Sequence, residues 1–83
     1  MNQSSIDQHG SPIVVGDRVK VVKIPTRLPQ GLPEEDQIAI YSQIGKTLII
    51  QGFNEDNNAE LEFTDNDGHI HTIWIKPDCL EKM

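Results

Sequence analysis

Short runs in which apolar and polar side chains strictly alternate are the feature that most limits what this chain can become. Arg18-Val19-Lys20-Val21 and Glu60-Leu61-Glu62-Phe63-Thr64 change character at every residue. On a strand this puts the apolar side chains on one face and leaves the other in water. A helix would scatter the same residues around its circumference.

The rest of the chain divides around these runs. Residues 13–24 (IVVGDRVKVVKI) form a first strand region, with a turn at Gly16-Asp17, and Pro25 ends it because proline cannot donate to a ladder. Residues 25–45 are the longest connection. Pro25, Pro29, Gly31 and Pro33 keep its first half irregular. Its second half, PEEDQIAIYSQIG, predicts a helix. Pro33 suits the first helical position, Glu34, Glu35 and Asp36 suit the positive end of the dipole, and Gly45 suits a left-handed cap. Ile40, Tyr41 and Ile44 are its expected buried face.

Three further strands are expected at 46–53, 59–63 and 69–75, joined by the turns NEDNN and DNDG. Pro77-Asp78 turns the chain into a short last strand led by Leu80. Shared strand phase places Val19, Val21, Leu48, Ile50, Leu61, Phe63, Ile73, Ile75 and Leu80 in one core. Five short strands with a long first connection fit a small barrel, since closure removes most exposed edges. Residues 1–11 are polar and read as a disordered leader to a single domain at 12–83.

The order of parts resembles the SH3-like barrel. Gly16-Asp17-Arg18-Val19-Lys20-Val21 is similar to the G-D-x-V-x-V opening of that fold, and Pro77-Asp78-Cys79-Leu80 to its P-x-x-L entry to the last strand. The resemblance implies a mostly β, five-stranded barrel with one short helix between strands 1 and 2. The chain also resembles a family of short bacterial proteins with a "VGDRV…IP…LPEE" run, a "GK" before a strand and "IWIxPxxLE" near the end. Here these are Val15 to Glu35, Gly45-Lys46, and Ile73 to Glu81. That resemblance implies no activity.

Chemistry-bearing residues are sparse. His69 and His71 are two apart, so on a strand they share a face, and Cys79 is a candidate third metal ligand if the last strand folds back beside them. Zinc sites announce themselves by paired C-x-x-C or H-x-x-x-H units, and neither occurs, so no metal and no cofactor is expected. Asp65-Asn66-Asp67-Gly68 opens like a calcium loop, but the twelfth position, which needs glutamate, is Lys76. Cys79 with a histidine lacks an orienting group and an oxyanion site. Glu60 and Glu62 lie on the solvent face of their strand, where carboxylates stay ionised. No phosphate-cradling glycine loop is present. The expectation is that the chain is not an enzyme.

Surface character is more informative. With 13 acidic and 7 basic residues the net charge is -6, which disfavours nucleic acid and anionic membrane surfaces as partners. Yet Arg18, Lys20, Lys23 and Arg27 cluster within ten residues, while residues 54–67 hold six acids and no base. Such asymmetry steers protein partners, although it is also what a solvated surface looks like. Trp74 points outward with Ile70 and Thr72 if Ile73 and Ile75 point inward; it is then either a binding anchor or a residue covered by the 33–44 helix. The expected binding surface is Trp74, Tyr41, Arg18 and Lys20. One cysteine, a polar start and no apolar run of about 20 residues point to a soluble, cytoplasmic chain. The expected role is a protein-interaction or accessory module. The alternatives are a nucleic-acid or ribosome-associated module of the KOW kind, and a non-catalytic subunit of a larger enzyme.

Overall fold

A computed structural model describes residues 4–83. In chain order the elements are β1 (Ser4–Ile6), β2 (Pro12–Val14), β3 (Arg18–Val21), α1 (Glu34–Tyr41), β4 (Thr47–Phe53), β5 (Ala59–Thr64), β6 (Ile70–Ile75), a 3-10 turn (Pro77–Cys79) and β7 (Leu80–Lys82). The domain is mostly β with one short helix. β1 and β2 form a hairpin of their own, and the other five strands form an antiparallel sheet in the order β6-β5-β4-β3-β7.

Two features depart from the expected closed five-stranded barrel. The sheet is open, with β6 and β7 at its ends, and there are seven strands among the described residues. The first strand region is divided by the turn at 14–17, where Asp17 donates its amide to the Val14 carbonyl and Gly16 takes a φ of 93°. The expected disordered leader differs as well: Ser4–Ile6 is a strand paired with Pro12–Val14, and Met1 to Gln3 lie outside the described residues.

Three hairpins share one local device. In the loops 7–11, 54–58 and 65–69, the first side chain is Asp7, Asn54 or Asp65. Its Oδ1 accepts amide hydrogens from the third and fifth residues at 2.9–3.0 Å. The fourth residue (Gly10, Asn57 or Gly68) has positive φ, a region open to glycine and tolerated by asparagine. The Asx side chain substitutes for backbone pairing that a tight loop cannot supply.

Asp7 does more than close its own turn. Its other oxygen accepts the Lys82 amide at 2.7 Å, and the Gln8 amide donates to the Leu80 carbonyl at 3.0 Å. The loop therefore lies along the outer edge of β7 and covers main-chain groups that would otherwise be open. Those backbone bonds, from Lys82 first, hold the Asp7 carboxyl below its usual pKa against the opposing effect of burial. Polarity at 7–11 is thus employed in hydrogen bonds, which is why this stretch is ordered despite having almost no apolar side chains.

β4 positions the two halves of the sheet. Thr47 to Ile49 pair with β3, the register shifts between Ile50 and Gly52, and Ile50 to Phe53 pair with β5. A bulge there bends the strand. The bend lets inner-face residues from both halves share one core: Val19, Val21, Ile50, Ala59, Leu61, Phe63, Ile73, Ile75 and Leu80, joined by Ile13, Ile40 and Cys79. Leu48 has the expected inward phase but is only half-buried.

The helix is shorter than its pattern suggested. Pro33 stands just before it as the cap, and Tyr41 ends it. Beyond Ser42 the turns tighten, with Gln43 and Ile44 bonding back three residues to Ile40 and Tyr41, and the Gly45 amide donates to the Val21 carbonyl at 2.7 Å, fastening the chain to β3. Ile44 is therefore not one helical turn beyond Ile40. Ile40 is buried and Ala39 packs against the core, while Tyr41 and Ile44 are exposed.

Candidate functional site

The β5–β6 turn brings the side chains of Asp65, Asp67 and His69 close to one another. Asp65 Oδ1 accepts the Asp67 and His69 amides, and its Oδ2 lies 2.8 Å from His71 Nε2 and 3.6 Å from His69 Nδ1. The His71 bond foremost, then the His69 amide, lowers the Asp65 carboxyl to a pKa of about 2. His71 points to the inner face, where its ring stacks on Phe63 at 4.9 Å between centroids and 9° between planes. His69 precedes the strand and is exposed.

This geometry does not bring the candidate ligands His69, His71 and Cys79 together. His71 is held between Phe63 and Asp65. Cys79 is buried in the 3-10 turn, and burial first, then the Asp78 charge, pushes its thiol pKa up. An unactivated, buried thiol is neither a ready ligand nor a nucleophile. The three groups close enough to share an ion are Asp65, Asp67 and His69, within 4.8 Å of one another. Asp65 has already committed both oxygens to closing the turn and orienting His71, so the cluster works as a structural lock. A cleft beside it, between α1 and the turn, is rimmed by Glu35, Asp36, Gln43, Lys46, Asp67 and His69. Asp65 also lines the cleft, with its Oδ2 3.6 Å from His69 Nδ1.

The outer face of β5–β6 is different. Trp74 lies opposite Glu60, Thr72 opposite Glu62 and Ile70 opposite Thr64. Trp74 is 42% exposed and Ile70 67% exposed. The helix does not cover Trp74: α1 joins the inner-face core through Ile40 and Ala39.

The other expected surface residues sit elsewhere. Arg18 and Lys20 occupy the outer face of β3, opposite Ile49 and Thr47 of β4, with Glu81 of β7 also opposite Lys20. Tyr41 is the last residue of α1 and is exposed. The four candidates thus lie on three separate elements, and strand pairing does not make Trp74 and the basic pair neighbours. Sequence reasoning passed over the locking roles of Asp7 and Asp65. The spacing Asp-x-x-Gly, present at both 7–10 and 65–68, is the signal that marks them.

Fold and site together describe a small antiparallel β domain in which Asp7 and Asp65 close turns and Trp74 and Ile70 are exposed on the last long strand. The chain matches no protein-family model, no curated protein and no solved structure.

Proposed function

We propose that this chain is a non-catalytic protein-interaction or accessory module of SH3-like architecture, docking partners on the outer face of β6. Three features support the architecture. β3, the first strand of the large sheet, lies between β4 and β7, drawing its first and last strands together. The helix falls in the β3–β4 connection, and a 3-10 turn precedes the last strand.

The observation that carries the functional reading is the exposed Trp74, with Thr72 and Ile70 further along the same face of a strand that holds no lysine, arginine or carboxylate. A rigid aromatic supplies apolar contact area at little entropic cost, and such residues dominate binding energy at interfaces. A basic-strip reading of β3 has less support, because the chain as a whole carries a net charge of -6 and Glu81 stands opposite Lys20 in the ladder.

The test uses the immobilised chain and its Trp74→Ala variant to capture proteins from the source cell, followed by titration of the purified candidate. An anchor lost at the interface costs about 2 kcal/mol or more, roughly a thirtyfold weaker Kd. Equal binding by a folded Trp74→Ala chain would remove this surface from consideration. Tight, steeply salt-dependent RNA binding would replace the proposal with the nucleic-acid reading.

A further inference from the structure

The free edge of β6 points to a second copy of this chain. Along an antiparallel ladder, residues alternate between pointing their N–H and C=O groups at the partner strand and away from it. The Asp65 amide donates to the His69 carbonyl at 2.9 Å, which fixes the phase. Phe63/His71, Leu61/Ile73 and Ala59/Ile75 are then the bonded pairs between β5 and β6. The β4–β5 turn agrees: Asn54 donates to Asn58 at 3.0 Å, so Ala59 turns its groups away from β4 and toward β6. Ile70, Thr72 and Trp74 must direct their amides and carbonyls outward, and these groups have no hydrogen-bond partner among the described residues.

Open edges are normally blunted by lysine, proline, bulges or covering loops. The edge of β7 is covered by the Asp7 loop. β6 has no such protection: Ile70-His71-Thr72-Ile73-Trp74-Ile75 contains no proline, lysine or carboxylate and no break in register.

We infer that β6 is the seam of a two-fold dimer, in which a second copy extends the sheet in an antiparallel register centred on Thr72. Of the registers that set outward-directed residues against one another, only this centring pairs all three, with Thr72 opposite Thr72 and Ile70 opposite Trp74 on either side. About six main-chain hydrogen bonds result. The same register preserves the faces. The two largest exposed apolar side chains of the strand pair across the seam on the outer face, and His71 meets Ile73 on the inner one.

Charge selects a copy over an unrelated strand. The register brings Lys76 of each copy level with Gly68 of the other, beside the turn that carries Asp67. Neither Lys76 nor Asp67 has an ion-pair partner among the described residues. Opposite charges therefore meet at both ends of the seam, and no like charges meet within it. An interface of one strand pair lies at the small end of specific contacts, so the dimer is of the reversible kind.

Sedimentation velocity over about 10–500 μM reads this directly, since small interfaces form and dissociate in that range. The parent should rise from 9.3 kDa toward twice that mass. Ile70→Lys, a change at an exposed side chain, and Thr72→Pro, which removes an outward amide that β5 does not use, should both stay at the single-chain mass while keeping the parent's circular dichroism. In the parent, amide exchange at Ile70, Thr72 and Trp74 should slow only at high concentration. A parent that remains at 9.3 kDa throughout overturns the inference. So does a folded Ile70→Lys chain that dimerises as the parent does, because the seam would then lie elsewhere. Neither result bears on whether Trp74 anchors a different protein, which the capture experiment decides separately.

Discussion

Truncating Phe63 to alanine probes how the β5–β6 hairpin is built. Its ring is almost wholly buried on the inner face of β5, among Leu61, Ile73 and the other core side chains, and stacks on His71. Removing a buried phenylalanine side chain costs about 3–5 kcal/mol in lost transfer energy and cavity formation. The His71 stack, worth about 0.5–1.5 kcal/mol in aromatic pairs, belongs within that range. For 83 residues, total stability is of order 4–12 kcal/mol. The substitution should therefore remove about a quarter or more of it and can unfold the chain at room temperature. A denaturant melt followed by far-ultraviolet circular dichroism measures this, with Phe63→Leu as the milder companion that keeps most of the volume. A second effect follows from geometry: without the ring to hold it, His71 pairs less well with Asp65, and the Asp65 carboxyl should titrate closer to its ordinary range. A loss below about 1 kcal/mol for Phe63→Ala would refute the packing described here, since no core phenylalanine is that dispensable.

Other consequences are as direct. The Asp65 pKa is depressed in the folded chain, from 3.8 to about 2, so its stabilising contribution is complete above about pH 4 and is lost as pH falls through about 2. Asp65→Asn should flatten the parent's acid-unfolding curve in that window, and an unchanged curve would contradict the His71–Asp65 lock. Asp7→Asn weakens the acceptor that holds the Lys82 amide, so exchange of the Gln8 and Lys82 amides should quicken while the amides of His71, Ile73 and Ile75, bonded to β5, keep the parent's protection. Uniform exchange rates in parent and variant would show that the loop does not fasten β7. Added zinc should leave the melting temperature unchanged, because Asp65 and His71 are committed to each other; a saturable rise would mean the turn is a metal site.

The second half of the chain was legible because its physics is local. Strict alternation through Leu61, Phe63, Ile73 and Ile75 fixed both the strands and their inner face, and the turns NEDNN and DNDG occur where their residues favour them. The beginning was not. Its few apolar residues suggested a leader, whereas its order comes from Asp7 reaching across to Lys82, a contact 75 positions away in sequence. Ile13 was missed for a related reason: it sits before the turn at 14–17, so its phase could not be read from Val19 and Val21. The exposed Trp74 followed from phase alone, but its freedom from the helix did not. That depends on α1 ending at Tyr41 and packing through Ile40 on the opposite side of the sheet. Separation of Arg18 and Lys20 from Trp74 likewise reflects strand order and the bend in β4, neither of which a linear pattern records.

The central claim is that the outer face of β6 is where this chain meets another protein. A proton–nitrogen correlation spectrum of the labelled chain, recorded with and without the captured partner, tests it most directly, because the single tryptophan gives one indole resonance. The expected result is a shift of the Trp74 indole together with the amides of Ile70, Thr72, Glu60 and Glu62. An unmoved Trp74 indole, with shifts confined to Arg18 and Lys20 or to the turn at 54–58, would contradict it.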